Sequence, residues 1–404
     1  MRIVDVAEFY APNGGGVRTY IDRKFVAAAQ AGHELFVIAP GPKDGFDPRP
    51  GGGVIWVRAP GLPFDRNYGM FWDAAPVHAH LDRLKPDLVE ASSPWRGAWI
   101  VAKWPGSAPR TMFVHADPVA SYPQRWLAPH VSPDRIDRLC ESFWAYHRGL
   151  AAHFDSSVAG SVWLGRRLVD HGVGPVDTIR LGADISAFSP MLRDPQLHAR
   201  LRAELGLPER GRILLGVGRH HAQKRWPMII DAVVAASANL PVGLIVLGSG
   251  VDRARIERAA RPHPNVQLMA PTRDRAFVAA LFASVDALIH GSESETFGLV
   301  AAEALASGLP VILPDRGACP ELAPPEVSET YRSADVKSAT AAIRRLLARD
   351  QQTLRADAAC AATQVRGDFQ HYAELFGLYG RIVGGEAAER EPSSNRIPAV
   401  ANAA

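Results

Sequence analysis

The sequence predicts an α/β chain of two domains, the first opening as a Rossmann-like unit. Three observations predict it. At 404 residues the chain exceeds what one compact core accommodates, and two domains follow from that length. Short apolar runs of strand length alternate with helical stretches in both halves. The amino terminus reads strand, glycine-rich loop, helix, strand.

In order, Ile3 to Ala7 reads as a strand, Pro12-Asn-Gly-Gly-Gly-Val17 as the loop, and the stretch to Ala31 as a helix that Gly32-His33 ends. Leu35 to Ala39 is the next strand. The loop lacks G-x-G-x-x-G, so the dinucleotide fingerprint, and with it a dehydrogenase, is not supported. Further strands are expected at Val54–Val57, Leu88–Ala91 and Thr111–His115. The last ends in Phe113-Val-His115-Ala-Asp117, and the ends of such strands open onto the ligand crevice of α/β sheets. On its own a strand-end histidine reads as structural, and Asp117 before Pro118 reads as an Asx turn. Eight of the nine tryptophans precede Ser186, several beside Arg or Lys, as in Trp95-Arg96 and Arg125-Trp126. That pairing suits a membrane interface. Packing inside the domain or lining an acceptor cleft is the alternative, and the one favoured here.

In the second half, Pro195 to Leu205 reads as a surface helix capped by Asp194. Arg212 to Gly218 is a buried strand, followed by Arg219-His-His-Ala-Gln-Lys224-Arg225-Trp226 and a helix from Pro227 to Ala236. A basic loop between strand and helix suits an anionic ligand, or is simply a solvated loop. His220 and His221 lack a carboxylate or Cys partner at metal-ligand spacing, so no metal site is expected. Val242–Leu247 is a strand ending in Gly248-Ser-Gly250, and Asn265–Ala270 and Val285–His290 are two more. Gly291 to Leu322 carries the densest signal. Thr296 is the expected N-cap of a helix from Phe297 to Ser307, Gly308 ends it, and Leu309–Pro314 is a short buried strand. Glu295 stands just before that helix and Glu303 about two turns into it. A ligand along the helix N-terminus could meet both carboxylates and the amides of Phe297, Gly298 and Leu299. Helices are expected at 334–348, 351–365 and 369–383, and the Pro-, Ser- and Ala-rich remainder reads as a disordered tail.

Glu295-Thr-Phe-Gly-Leu-Val-Ala-Ala-Glu303, followed by Ala304, Gly308, Pro310 and Val311, resembles the signature of family 4 retaining glycosyltransferases, which have the GT-B fold. The resemblance extends from Ile3 to about Val383. It implies two Rossmann-like α/β/α domains facing across a cleft. The acceptor-side domain would span 1–187 and the nucleotide-sugar domain 188–368, with a helix crossing back at 369–384 and the tail at 385–404. It implies that Arg219 and Lys224, matching G-R-x4-K, hold the donor diphosphate. Glu295 and His115 would contact the sugar and Glu303 the nucleotide ribose. Gly15, Gly16, Gly248, Phe297, Gly298 and Leu299 match further donor positions, and Tyr10, Asn13 and Asp117 are assigned to the acceptor. Such enzymes use neither metal nor cofactor; the nucleotide-sugar is a substrate. The hinge Ile179–Pro190 departs from the family pattern at Arg180 and Ala183, and Ala270 stands where the family often has Gly, so the base does not carry over. The resemblance implies sugar transfer to a glycan or lipid-linked acceptor in cell-surface polysaccharide or glycolipid synthesis, GDP-mannose being favoured over UDP-sugars. The rival classes are a nucleotide-sugar epimerase of the same fold and a non-catalytic sugar-binding protein.

Composition bounds the rest. A net charge of +3 carries no footprint for nucleic acid, although a pI near 8.8 leaves room for a basic patch facing anionic lipid. Three widely spaced cysteines exclude a disulfide framework and fit a reducing cytoplasm. No signal-peptide pattern and no apolar run of membrane-spanning length is read. The expected location is cytoplasmic, with peripheral contact at the inner face of the membrane.

Overall fold

A computed structural model describes residues 1–12, 15–62, 65–127 and 130–385. Asn13 and positions 386–404 of the expected tail lie outside the described residues. The chain forms two compact units, Met1–Leu181 with the segment from Asp368 on, and Gly182–Gly367. The passage from one to the other thus falls after 181, inside the expected hinge, where 187 was expected. The last helix belongs to the first unit.

The strands of the first unit are β1 (Arg2–Ala7), β2 (Glu34–Gly41), β3 (Gly45–Arg49), β4 (Gly52–Arg58), the two-strand ribbon of β5 (Gly61–Leu62) and β6 (Asp65–Gly69), β7 (Leu88–Ser92), β8 (Arg110–Val114), β9 (Ser156–Ala159) and β10 (Val176–Thr178). Eight of them form one sheet in the order β10-β9-β8-β7-β1-β2-β4-β3, parallel except for the edge strand β3. The helices are α1 (Gly16–Gln30), α2 (Ala75–Leu84), α3 (Arg96–Lys103), the single turn α4 (Arg125–Leu127), α5 (Pro133–Leu139), α6 (Glu141–Ala151) and α7 (Val162–Asp170). The strand pleat sends Val4 and Val6 into the core under α2, α3 and α6, and Ile3 and Ala7 into the core under α1. Both faces are covered, which is why these strands read as nearly unbroken apolar runs.

The second unit repeats the plan. Strands β11 (Arg212–Val217), β12 (Val242–Leu247), β13 (Val266–Met269), β14 (Ala287–Ile289), β15 (Val311–Pro314) and β16 (Ser328–Tyr331) pair in parallel in the order β13-β12-β11-β14-β15-β16. Helices α8 (Pro195–Glu204), α11 (Arg275–Ser284), α12 (Leu299–Ala306) and α14 (Gln351–Ala362) cover one face. Helices α9 (Trp226–Ser237), α10 (Arg253–Ala260) and α13 (Val336–Ala348) cover the other. Asp194 caps α8 as expected, its carboxylate accepting the Gln196 and Leu197 amides at 2.8 and 3.1 Å. The final helix, α15 (Asp368–Val383), packs beside α1 through Tyr372, Leu375, Phe376 and Tyr379. Among the described residues no helix is long and apolar enough to cross a membrane.

The tryptophans divide. Trp104 and Trp144 are buried, Trp144 stacked on His171 at 3.9 Å, whereas Trp72 and Trp126 are 69% and 61% exposed.

Candidate functional site

In the second unit β11 pairs with β12 on one side and with β14 on the other, so the strand order reverses between β11 and β14. Ligands of open α/β sheets bind beyond the carboxyl ends of strands at such a switch point. Two loops leave there, 218–225 after β11 and 290–298 after β14. The first is pinned by Trp226, whose indole N–H donates to the Arg219 carbonyl at 3.0 Å. It makes one tight turn at Ala222–Lys224, with the His221 ring accepting the Gln223 amide at 3.3 Å. The second loop crosses against it at Gly291, where a Cβ would stand 2.3 Å from the Lys224 carbonyl oxygen.

Side-chain contacts join these loops. Gln223 donates to Ser294 Oγ at 2.8 Å, Lys224 pairs with Glu295, and Arg225 pairs with Glu293 through two nitrogens. The structure therefore brings Lys224 and Glu295 together. Arg219 lies in the same loop, exposed, with no carboxylate partner among the described residues. Burial pushes the Glu295 carboxyl up, but Lys224 and His290 outweigh it and hold Glu295 well below the usual carboxylate range. His290 Nε2 lies 3.5 Å from Glu295 Oε1, and the His290 carbonyl accepts the Tyr331 hydroxyl at 2.6 Å. The Glu295 carbonyl accepts the Ala318 amide at 2.8 Å, tying in the loop after β15.

Helix α12 begins later than expected. Its N-cap is Gly298, at φ 91° and ψ 51°, not Thr296. Only glycine takes that left-handed conformation freely, and a Cβ here would stand 2.5 Å from Cys319 Sγ. Glu303 is consequently one turn into the helix rather than two. It is half-buried, and burial pushes its carboxyl up to about 7, with Arg275 opposing and Asp184 adding to the rise. Arg275 and Asp184 are themselves paired at 2.7 Å. Phe297 and Gly298 are buried, Leu299 half-buried, so what Phe297 offers a ligand is backbone. Gly248 is buried too, packed so closely on Gly218 that a Cβ would meet its carbonyl oxygen at 2.0 Å.

His220 is buried, its ring edge-on to Trp226, and among the described residues no group of three or more His, Cys, Asp or Glu is placed to hold a metal ion.

In the first unit Gly15 is the exposed N-cap of α1 and Gly16 its first residue. His115 follows β8, its ring 4.5 Å from that of Phe113 and 5.1 Å from that of Tyr20. Burial lowers its pKa to about 4, so the imidazole is neutral at physiological pH. Two residues assigned to the acceptor are engaged internally. The Tyr10 ring is buried against Trp56 with its hydroxyl donating to Asp22 at 2.7 Å. Asp117 is buried, accepts the Ala120 amide at 2.9 Å and pairs with Arg167, which also pairs with Asp137. The turn that alone explains Asp117 is thus present. A buried charge cluster, absent from the expectations, lies under α1 and α15. Lys24 Nζ is 2.8 Å from Glu90 Oε2 and 3.2 Å from Asp5 Oδ2, and Ser92 donates to Asp5 at 2.9 Å.

Sequence reasoning also missed Arg225 and Glu293. They flank assigned residues, yet they stand 68 positions apart and no spacing rule links them.

Comparison with known proteins gives the family and the fold. The family models "Glycosyltransferase Family 4" and "Glycosyl transferases group 1" match residues 14–187 and 211–349. The chain is 30% identical over 346 residues to the GDP-mannose-dependent alpha-(1-6)-phosphatidylinositol dimannoside mannosyltransferase of Mycobacterium tuberculosis, across 82% of this chain and 87% of that protein. It is 30% identical over 338 residues to the GDP-mannose-dependent alpha-mannosyltransferase of Mycolicibacterium smegmatis, across 80% and 82%. Among solved structures, sucrose-phosphate synthase from Thermosynechococcus elongatus matches with a TM-score of 0.76 at 19% identity, across 95% of this chain and 100% of that one. The catalytic domain of starch synthase IV from Arabidopsis thaliana matches with a TM-score of 0.69 at 16% identity, across 95% and 99%. By the length of these matches and by its two parallel-sheet units, the chain belongs to glycosyltransferase family 4 and has the GT-B fold.

Proposed function

We propose that this glycosyltransferase moves mannose from GDP-mannose to a glycan or lipid-linked acceptor of the cell surface, with retention at the anomeric carbon. The observation that carries the proposal is the meeting of Lys224 and Glu295 at the switch point, just ahead of α12. The choice of donor is supported by the relatives that are GDP-mannose-dependent. Arg219, Lys224 and the first amides of α12 take the diphosphate. As the bond from the anomeric carbon to phosphate oxygen breaks, that oxygen gains charge, and fixed cations and dipoles stabilise it. They supply what a metal ion supplies elsewhere, so the reaction needs neither metal nor cofactor. The leaving phosphate oxygen accepts the proton of the acceptor hydroxyl as the new C–O bond forms on the same face. Glu303 accepts hydrogen bonds from the ribose, Glu295 from the sugar, and His115 contacts the sugar as a neutral imidazole.

The acceptor is met at the inner face of the membrane. Exposed Trp72, Tyr122, Trp126 and Leu139, with the cations Arg135 and Arg138, support this placement in the cytoplasm against anionic lipid. The test is a screen of GDP- and UDP-sugars, following nucleotide release and anomeric stereochemistry, with and without anionic vesicles. GDP-mannose should turn over fastest, with retention and a gain from vesicles. A faster UDP-sugar, or an inverted product, overturns the assignment.

A further inference from the structure

We propose that Arg225 and Glu293 form a positioning clamp that sets the place of Lys224 and Glu295 without touching the donor. The inference rests on the reading of Lys224 as a diphosphate ligand. Arg225 Nε donates to Glu293 Oε2 at 2.9 Å, and Nη2 meets Oε1 of the same carboxylate. Such a two-point pair between a planar fork and a carboxylate fixes direction as well as distance. The pair is largely withdrawn from water, with side chains 18% and 12% exposed.

Its place in the chain decides what it can do. Arg225 directly follows Lys224, and Glu293 precedes Glu295 by two residues. The two loops have no strand pairing of their own beyond β11 and β14, whose register ends at Leu215 and Leu288. Beyond that point their spacing depends on side chains and on the close contact at Gly291. Loop 290–298 is backed on its far side by Gly317, where a Cβ would stand 3.0 Å from the Glu293 carbonyl oxygen. The clamp therefore pulls 218–225 onto a supported wall.

Arg225 also holds an unfavourable backbone. At φ 49° and ψ 35° it is left-handed, one of four non-glycine residues with positive φ among the described residues. Glycine would take this conformation freely. A side chain kept here against that preference, and spent on one carboxylate, points to a contact with a use. Lysine carries four side-chain torsions, and ordering them when ligand arrives weakens binding unless the backbone below is already fixed. Fixing that backbone is the use the geometry assigns to the pair.

Arg225→Gly removes the clamp while relieving the backbone. Glu293→Gln removes the charge of the other partner with little change of shape. Thermal unfolding, affinity for GDP and UDP by calorimetry, and donor KM and kcat are measured for each, for the double variant, and for Arg225→Gly combined with Lys224→Ala. Each single variant should weaken the tighter-binding nucleotide about tenfold and raise donor KM to match, and the double variant should lose no more than either alone. With Lys224→Ala already present, Arg225→Gly should change affinity less than about twofold, because no ammonium remains to be placed. Melting temperature should fall less in the double variant than in Arg225→Gly alone, because Glu293→Gln then leaves no unpaired charge. Equal loss with and without Lys224 would mean that Arg225 touches the ligand itself, and affinity unchanged in both single variants would mean that the pair positions nothing. Either result overturns the clamp. If Lys224→Ala alone leaves affinity unchanged, the failure lies in the diphosphate assignment instead.

Discussion

Lys224 and Glu295 neutralise each other in this structure, although each is assigned to a different part of the donor. On the proposed roles, a bare nucleoside diphosphate draws on Lys224 and offers Glu295 nothing, so part of its binding is spent parting the pair. Glu295→Gln should therefore tighten GDP by about 0.5–1 kcal/mol, about twofold to fivefold, the scale of a partly exposed ion pair. The same variant should lose about 2–4 kcal/mol in kcat/KM for the sugar donor. Calorimetry showing weaker GDP binding would refute the competition. Glu303 adds a pH dependence. With its pKa raised to about 7, the carboxylate proposed to accept ribose hydroxyls is fully present only above that value. Affinity should rise with pH through this window. Because phosphate titrates nearby, at about 6, the readout is the ratio of Glu303→Gln to wild-type dissociation constants, which should grow between about pH 6 and pH 8. A flat ratio would separate Glu303 from the ribose. The positions of Lys224, Glu295 and Glu303 could be picked out because each sits in a contiguous run of chain that resembles a family motif. The cap could not: Thr296 has the right side chain, but the backbone turn falls to Gly298, where Cys319 leaves no room for a Cβ.

Helix α1 was legible as an element, but what it buries was not. Lys24, beside Asp22 and Arg23 in the chain, is fully buried between β1, β7 and α15, its ammonium 5.7 Å from the Tyr379 ring. Burial pushes the Glu90 carboxyl from 4.5 up to about 8 against the pull of Lys24, which stands 2.8 Å from Glu90 and 3.2 Å from Asp5. The sign follows from linkage. The folded chain holds a proton that the unfolded chain releases, so this contribution is full below about 4.5 and is lost as pH rises through about 8. The slope cannot exceed about 1.4 kcal/mol per pH unit for one proton. Melting temperature should accordingly fall between about pH 5 and pH 9, and Glu90→Gln, neutral throughout, should flatten that fall. Parallel curves for the two proteins would show that Glu90 is ionised in the folded state.

For the molecule as a whole, the two-unit α/β plan was legible because a parallel strand covered on both faces must be apolar throughout, as Val242 to Leu247 is. The boundary near 181 and the return at Asp368 were legible only approximately; Ala183 bridges to Gly367, so the two ends of the second unit lie side by side although nearly the whole unit separates them along the chain. The family motif, the alternation of elements, the helix caps such as Asp194 and the basic strand-end loop are properties of neighbouring residues, and the sequence by itself determined them. Strand order is not a property of neighbours. Placing β14 beside β11, with β12 and β13 on the other side, is what brings Glu293, Ser294 and Glu295 to Arg225, Gln223 and Lys224. The burial of Lys24 likewise waits on α15, which arrives from the far end of the chain. Only the tertiary structure decided these pairings, because the free energy of a charge depends on what surrounds it, and that is set by packing rather than by spacing along the chain.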